Sequence, residues 1–228
     1  MSSNMDLRLG DFRTELKNVQ DVHFMLTDPP YGNFFRHSRA GYGYKEREVK
    51  YKHAGNYAVV GDDLKFLDEF FVFAKSCLIK DHPILMFGDH KGFTKWTEAA
   101  KRHSFNLVNI GVWKKNYMGL GYNFRPQHEL LLLFSTGKSI KAKVRNLPSV
   151  LEYPRAFPKR HPTEKPVPLL QRLVESFSSP GELVCDPFMG TGSTGVACAS
   201  TKRNFVGAEI EPIYFNLAKL QIKQLIHD

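Results

Sequence analysis

The sequence predicts an α/β fold: a doubly wound, mostly parallel seven-stranded sheet with a late antiparallel hairpin. Three observations support this. Short apolar runs alternate with stretches whose apolar residues recur at helical spacing. Most of the runs are near-continuous rather than alternating, as strands covered on both faces must be. The chain has 228 residues, of which 42% are hydrophobic, enough for one full core. The expected organisation is a single domain over residues 1–228 with no internal repeat.

Leu7 to Asp11 reads as a first strand ending in an acidic turn, followed by a short helix from Thr14 to Asn18. Val22 to Thr27 is the second strand. Leu64, Leu67, Phe71, Ala74 and Leu78 form one helical stripe, with Asp62 or Asp63 able to cap it. Pro83 to Gly88 is a buried strand. Phe93, Trp96, Ala100 and His103 mark the next helix, with His103 at its end. Phe105 to Lys114 and His128 to Phe134 are two strands joined by a Gly-containing link, hence the hairpin. Pro166 opens a helix that buries Val167, Leu170, Val174 and Phe177, since proline is tolerated in a first turn. Glu182 to Asp186 and Asn204 to Ala208 are the last strands. Glu211-Pro212 starts the final helix, with Ile213, Leu217 and Leu220 inward.

The formal net charge of +9 favours a polyanionic partner. No run of transmembrane length and no signal peptide is evident, so no membrane partner is expected. Cys77, Cys185 and Cys198 form no close pair and sit among apolar residues, so they read as reduced core side chains of a cytoplasmic protein. No metal-ligand spacing is present in the sequence.

Asp28-Pro29-Pro30-Tyr31 ends the second strand abruptly, because two prolines cannot continue a ladder. Proline also holds the preceding Asp28 extended. A rigid corner then presents one carboxylate, carbonyls and one ring. Asp28 and the Pro29 carbonyl can accept two hydrogen bonds from an exocyclic amine, and Tyr31 can stack on its ring, worth roughly 1–3 kcal/mol. Taken alone, the same residues also suit an ordinary turn.

Residues 32–60 interleave aromatics with Arg36, Arg39, Lys45, Arg47, Lys50 and Lys52. Residues 135–160 show no clear periodicity and carry Lys141, Lys143 and Arg145. Two basic stretches in one small domain point to a shared anionic ligand, with phosphates and unstacked bases as the fitting chemistry.

Gly190-Thr191-Gly192-Ser193-Thr194-Gly195 follows a strand and opens a helix, and Glu209 ends the next strand nineteen positions after Gly190. Such glycines allow a tight turn and close approach, and such a carboxylate binds ribose hydroxyls. In isolation the pattern suggests a dinucleotide. However, Asp186-Pro187-Phe188 precedes the turn and crowds the place of a pyrophosphate. No hydride-transfer constellation is evident, and a dinucleotide leaves Asp28–Tyr31 unexplained. An adenosine cofactor without phosphates, S-adenosylmethionine, accounts for both stretches.

These two stretches, with His161-Pro162-Thr163-Glu164-Lys165-Pro166, resemble the β-class DNA amino-methyltransferases, which place the catalytic motif before the cofactor motif as this chain does. The resemblance covers nearly the whole chain. It implies methyl transfer to the exocyclic amine of a base flipped from double-stranded DNA. Adenine N6 is the expected target, since an Asp at the head of the catalytic motif is more usual for adenine and a Ser for cytosine N4. A cytosine N4 or RNA amine, and a non-catalytic binding partner on the same fold, are the alternatives. The resemblance further implies that Asp11 meets the cofactor adenine and that Thr163 and Lys165 hold its carboxylate. It also has Trp113 to Asn116 line the target-base pocket, with Trp113, Lys114 and Asn116 as the nucleic-acid contacts. Only Ser135 to Arg160 is available as a recognition insert, so specificity is short or supplied by a partner. A homodimer and a cognate restriction endonuclease are compatible partners, and a bacterial, phage or mobile-element origin is expected.

Overall fold

A computed structural model of the chain describes residues 3–30, 63–120, 123–137, 141–157 and 164–226. Among the described residues, eight strands form one sheet: β1 (Met5–Leu9), β2 (Phe24–Thr27), β3 (Ile84–Gly88), β4 (Asn106–Lys114), β5 (His128–Ser135), β6 (Val150–Glu152), β7 (Leu183–Asp186) and β8 (Asn204–Glu209). Their order across the sheet is β1-β8-β7-β2-β3-β5-β4-β6. β5 alone runs antiparallel to its two neighbours, which is the expected hairpin.

The helices are α1 (Phe12–Glu15), α2 (Asp63–Cys77), α3 (Phe93–Arg102), α4 (Val167–Phe177), α5 (Ser193–Ser200) and α6 (Pro212–Ile226). The near-continuous apolar runs are explained by two cores, one on each face. Met25, Ile84, Met86, Leu132, Phe134, Cys185 and Val206 pack with Phe12, Phe70, Phe71 and Trp96 from α1 to α3. Their strand neighbours Phe24, Leu26, Leu85, Phe87, Leu131, Leu133 and Val184 pack with Leu169, Leu173, Ala197 and Ala218 from α4 to α6. Successive residues of one strand thus feed opposite cores, so a register slip of one residue would exchange them. All three cysteines are buried free thiols, and burial pushes Cys77 up to about 12.

The topology also fixes where a ligand sits. From β2 the chain crosses by α2 to β3 on one side. From β7 it crosses by α5 to β8 on the other. β2 and β7 are themselves paired, Met25 with Cys185. Their carboxyl ends therefore flank the point at which the sheet's winding reverses, where α/β sheets open a crevice.

Four expectations need correction. An eighth strand, β6, lies in the segment read as aperiodic, pairing Val112 with Val150 along the edge of β4. Three residues are too few to show a period of two. β1 ends two residues earlier than expected, and α1 spans Phe12–Glu15 because Asp11 accepts from the Arg13 N–H as its cap. Leu64 is 51% exposed, off the buried stripe of α2. In α6, Ala218 and Ile222 face inward, whereas Ile213 and Leu220 are more than half exposed. Among the described residues no helix is long and apolar enough to cross a membrane.

Candidate active site

Four parallel strands end side by side at the reversal point, and each ends on a carboxylate. Asp28 follows β2, Asp186 and Glu209 close β7 and β8, and Asp11 follows β1. Pro29 is buried and Pro30 half-buried, so the corner after Asp28 is packed in place.

Asp186 is 3% exposed. Its Oδ1 accepts from Thr27 Oγ1 at 2.8 Å and from the Phe188 N–H at 3.1 Å, and its Oδ2 accepts from Thr194 Oγ1 at 2.7 Å. Burial pushes its carboxyl up to about 6, opposed by these three donors. Nearby Asp28 pushes in the same direction as burial, as two carboxylates close together must.

Two of the motif's glycines do different work. Gly190 has φ +54° and a side-chain carbon there would meet nothing within 4 Å, so its backbone borders open space. Gly192 has φ +86°, and an added carbon would lie 2.7 Å from the Ala218 Cβ. Gly195 is equally constrained, by Ile222 at 2.4 Å. Gly190 therefore leaves room for a ligand, whereas Gly192 and Gly195 let α6 pack closely.

Glu209 braces the turn. Its Oε2 accepts from the Gly190 N–H at 2.9 Å and its Oε1 from the Glu211 N–H at 2.8 Å. Burial raises its carboxyl above the usual range, against these two hydrogen bonds. Asp11 is held below the usual range chiefly by its hydrogen bonds from the Arg13 guanidinium. Phe188 packs in an aromatic group with Phe12 at 5.1 Å and Phe66 at 5.7 Å. Pro187 is buried, and Thr191 and Ser193 are buried beneath the turn.

Lys165 stands on the other side of Asp28. Its ammonium bonds Asp28 Oδ2, lies 3.3 Å from Glu129 Oε2 and sits 4.9 Å above the Phe87 ring. Glu129 Oε1 is 2.6 Å from Lys115 Nζ, and that ammonium is 5.1 Å from the Trp113 ring. Burial lowers the Lys165 ammonium, but Asp28 and Glu129 outweigh it and leave the group raised. The Asp28 side chain remains 19% exposed despite the pairing.

The structure thus brings Asp11, Asp28, Pro29, Pro30, Lys165, Asp186, Gly190 and Glu209 to one edge. Tyr31, Arg36, Arg39, Lys45, Arg47, Lys50, Lys52 and Thr163 lie outside the described residues. Trp113 is buried, its Nε1–H donating to the Tyr153 carbonyl at 2.9 Å. Lys114 pairs with Glu152 at 2.9 Å, and Asn116 Oδ1 accepts from the Arg155 N–H at 3.4 Å. Lys143 sits elsewhere. Its ammonium donates to Glu182 at 2.7 Å and to Ser179, beside the amino end of β7 and so at the opposite edge from Asp28. Lys141 and Arg145 flank it on the surface. Lys115 lies within the Trp113–Asn116 segment expected at the target-base pocket, whereas no sequence motif marks Glu129. The available signal is Glu129 standing just before the apolar run Leu130–Phe134, on the hairpin that returns beside the catalytic strand's neighbour.

A family model for DNA methylases of the N6/N4 type matches residues 22–220. The chain belongs to that family. The methylase is 31% identical to YubD of Escherichia coli (strain K12), named as a putative methylase, over 83% of this chain and 76% of that protein. It is 24% identical to the type II methyltransferase M2.MboI of Moraxella bovis, over 97% of this chain and 89% of that one. Its fold is that of the M1.HpyAVI–SAM complex (TM-score 0.70, 21% identity, 95% and 99% of the two chains). It is also that of the cytosine-N4-specific PvuII DNA methyltransferase (TM-score 0.75, 16% identity, 100% and 93%). The sheet winding of this methylase is therefore the family's architecture.

Proposed function

We propose that the methylase transfers a methyl group from S-adenosylmethionine to the N6 amine of an adenine flipped out of double-stranded DNA. The observation that carries this reading is the adjacency of the Asp28 corner and the Gly190 turn across β2 and β7.

The crevice suits this cofactor better than a dinucleotide. Four carboxylates rim it, and the Gly190 N–H is already held by Glu209. A pyrophosphate needs free N–H groups and positive potential. A ligand bearing a sulfonium and an ammonium finds the opposite sign, which matches this rim. Glu209 and Asp11 would face the ribose and adenine. The backbone at Gly190 would admit the amino-acid end, with Asp186 buried beneath it. When bound, S-adenosylmethionine supplies an electrophilic methyl group.

What the chain supplies is a grip on the amine. The N6 lone pair of adenine is delocalised into its ring and is a poor nucleophile. Asp28 accepts one amine hydrogen and the Pro29 carbonyl accepts the other, so the lone pair is left on the nitrogen. These contacts strengthen as the nitrogen gains positive charge, so they raise turnover and not only binding. Asp28 also takes up the proton that the methylated amine releases and passes it to water. Tyr31 stacks on the flipped ring, whose extrusion costs a few kcal/mol. Residues 32–60, with Lys114 and Asn116, contact the duplex.

Nuclease digestion of methylated DNA and identification of the modified nucleoside tests the target. N6-methyladenine is expected. N4-methylcytosine would move the assignment to the other base, and incorporation confined to RNA would overturn the DNA reading.

A further inference from the structure

Four alternating charges lie behind the catalytic corner: Asp28, Lys165, Glu129 and Lys115. They come from the end of β2, the residue before Pro166 and α4, the start of β5 and the end of β4. β5 is antiparallel to β4 with Glu129 opposite Trp113, which puts the start of one at the end of the other. Two ring faces line the ammonium groups, Phe87 under Lys165 and Trp113 under Lys115, and the two rings meet edge to face at 6.3 Å. Lys165 is 8% exposed. A buried ammonium needs close anionic partners, and removing one partner of such a pair is far more disruptive than at the surface. Glu129 is the shared partner, taking one ammonium on each carboxylate oxygen.

We propose that Glu129 is a positioning residue for methyl transfer: it holds Lys165 in the bridging place from which the ammonium fixes the Asp28 carboxylate against the target amine. Glu129 touches neither the base nor the cofactor in this arrangement. The group lies on the β3–β5–β4 side of β2, whereas the cofactor rim lies on the β7–β8–β1 side. Loss of Glu129 removes the carboxylate that bridges the Lys115 and Lys165 ammonium groups, so Lys165 shifts and Asp28 is drawn off line with it. The inference rests on reading Asp28 as the acceptor of the target amine.

The test is labelled-methyl transfer to duplex DNA, with cofactor affinity measured alongside, for Glu129→Gln, Glu129→Asp, Lys165→Met and the Glu129→Gln/Lys165→Met double variant. Small misplacements of reacting groups cost about tenfold to a hundredfold, and kcat of Glu129→Gln should fall in that range. Cofactor affinity should stay within about twofold, and Glu129→Asp should recover part of kcat. Because Glu129 acts through Lys165, adding Glu129→Gln to Lys165→Met should lower kcat no further, a failure of additivity expected of coupled residues. Unchanged kcat in Glu129→Gln overturns the inference. So do losses that multiply in the double variant, or a kcat loss matched by weaker cofactor binding. A wild-type enzyme that methylates no DNA overturns instead the functional reading beneath it.

Discussion

Thr27 Oγ1 donates a 2.8 Å hydrogen bond to Asp186 Oδ1, joining the last residue of β2 to the last residue of β7. The two residues are 159 positions apart in the chain. The bond spans the reversal point of the sheet and ties the strand that carries the amine grip to the strand that carries the glycine turn. Both groups are buried, so the bond sets the spacing of the two halves with no water able to replace it.

Thr27→Val keeps the side chain's shape and removes this donor. An unmet buried carboxylate interaction of this kind costs about 1–3 kcal/mol. Chemical denaturation should show a loss in that range, and kcat should fall together with cofactor affinity because both halves shift. Full stability and full activity in Thr27→Val would show that the bond does not set the spacing.

Asp186 should leave a mark on stability against pH. Its carboxyl is raised from 3.8 to about 6 in the folded chain, so folding binds a proton between those values. Ionising it in place is a cost that is absent below the unfolded pKa and fully present above the folded one. The shift corresponds to on the order of 2–3 kcal/mol. The difference in unfolding free energy between wild type and Asp186→Asn should therefore fall as pH rises from about 4 to about 6 and flatten above. A difference that is independent of pH over that window would contradict the assignment. Buried Glu209 is raised in the same direction, in part by the charge of Asp186, so the difference reports Asp186 together with its coupling to Glu209.

The two glycines of the turn should separate binding from folding. Gly192→Ala forces a carbon to within 2.7 Å of Ala218 at a positive φ, and overpacking of this sort costs typically about 1–3 kcal/mol before backbone strain is added. Gly190→Ala adds a carbon in open space at φ +54°, a left-handed conformation costing roughly 1–2 kcal/mol. Gly192→Ala should show the larger drop in melting temperature. Gly190→Ala should show the larger drop in S-adenosylmethionine affinity relative to its drop in stability, measured by calorimetry.

The basic residues between 36 and 52 should act through phosphate charge. Replacing Arg36, Arg39, Lys45 and Arg47 by Gln should weaken DNA binding and flatten its salt dependence, by about one unit of slope for each phosphate no longer neutralised. Binding titrations at several salt concentrations measure this, and an unaltered slope would remove these residues from the interface.

The sequence is most legible where chemistry and backbone agree. Asp28-Pro29-Pro30 announces a strand end, and Gly190 to Gly195 announces a turn into a helix, so the residues alone place both motifs at carboxyl ends of strands. Buried strands are legible because both faces are covered and their apolar runs are unbroken, as in Phe24–Leu26 and Leu130–Phe134. Their neighbour relations are not, since the bond from Thr27 to Asp186 joins residues that no local pattern connects. β6 escapes notice because three edge residues carry no period. Ile213 and Leu220 read as inward because an apolar stripe does not say which of two adjacent faces meets the sheet, and small Ala218 permits the closer approach. Lys165 is expected from the motif to serve the cofactor, yet its ammonium meets Asp28 and Glu129. Asp28 lies 137 residues before it and Glu129 on a separate hairpin, out of reach of any motif.

Transfer of a labelled methyl group from S-adenosylmethionine to duplex DNA by wild type and by Asp28→Ala, with cofactor affinity measured on both, is the most direct test of the amine grip. Wild type should label adenine, and Asp28→Ala should lose transfer by several orders of magnitude while cofactor affinity changes little. An Asp28→Ala protein that still methylates DNA at a rate near wild type would show that the carboxylate at the end of β2 does not hold the reacting amine.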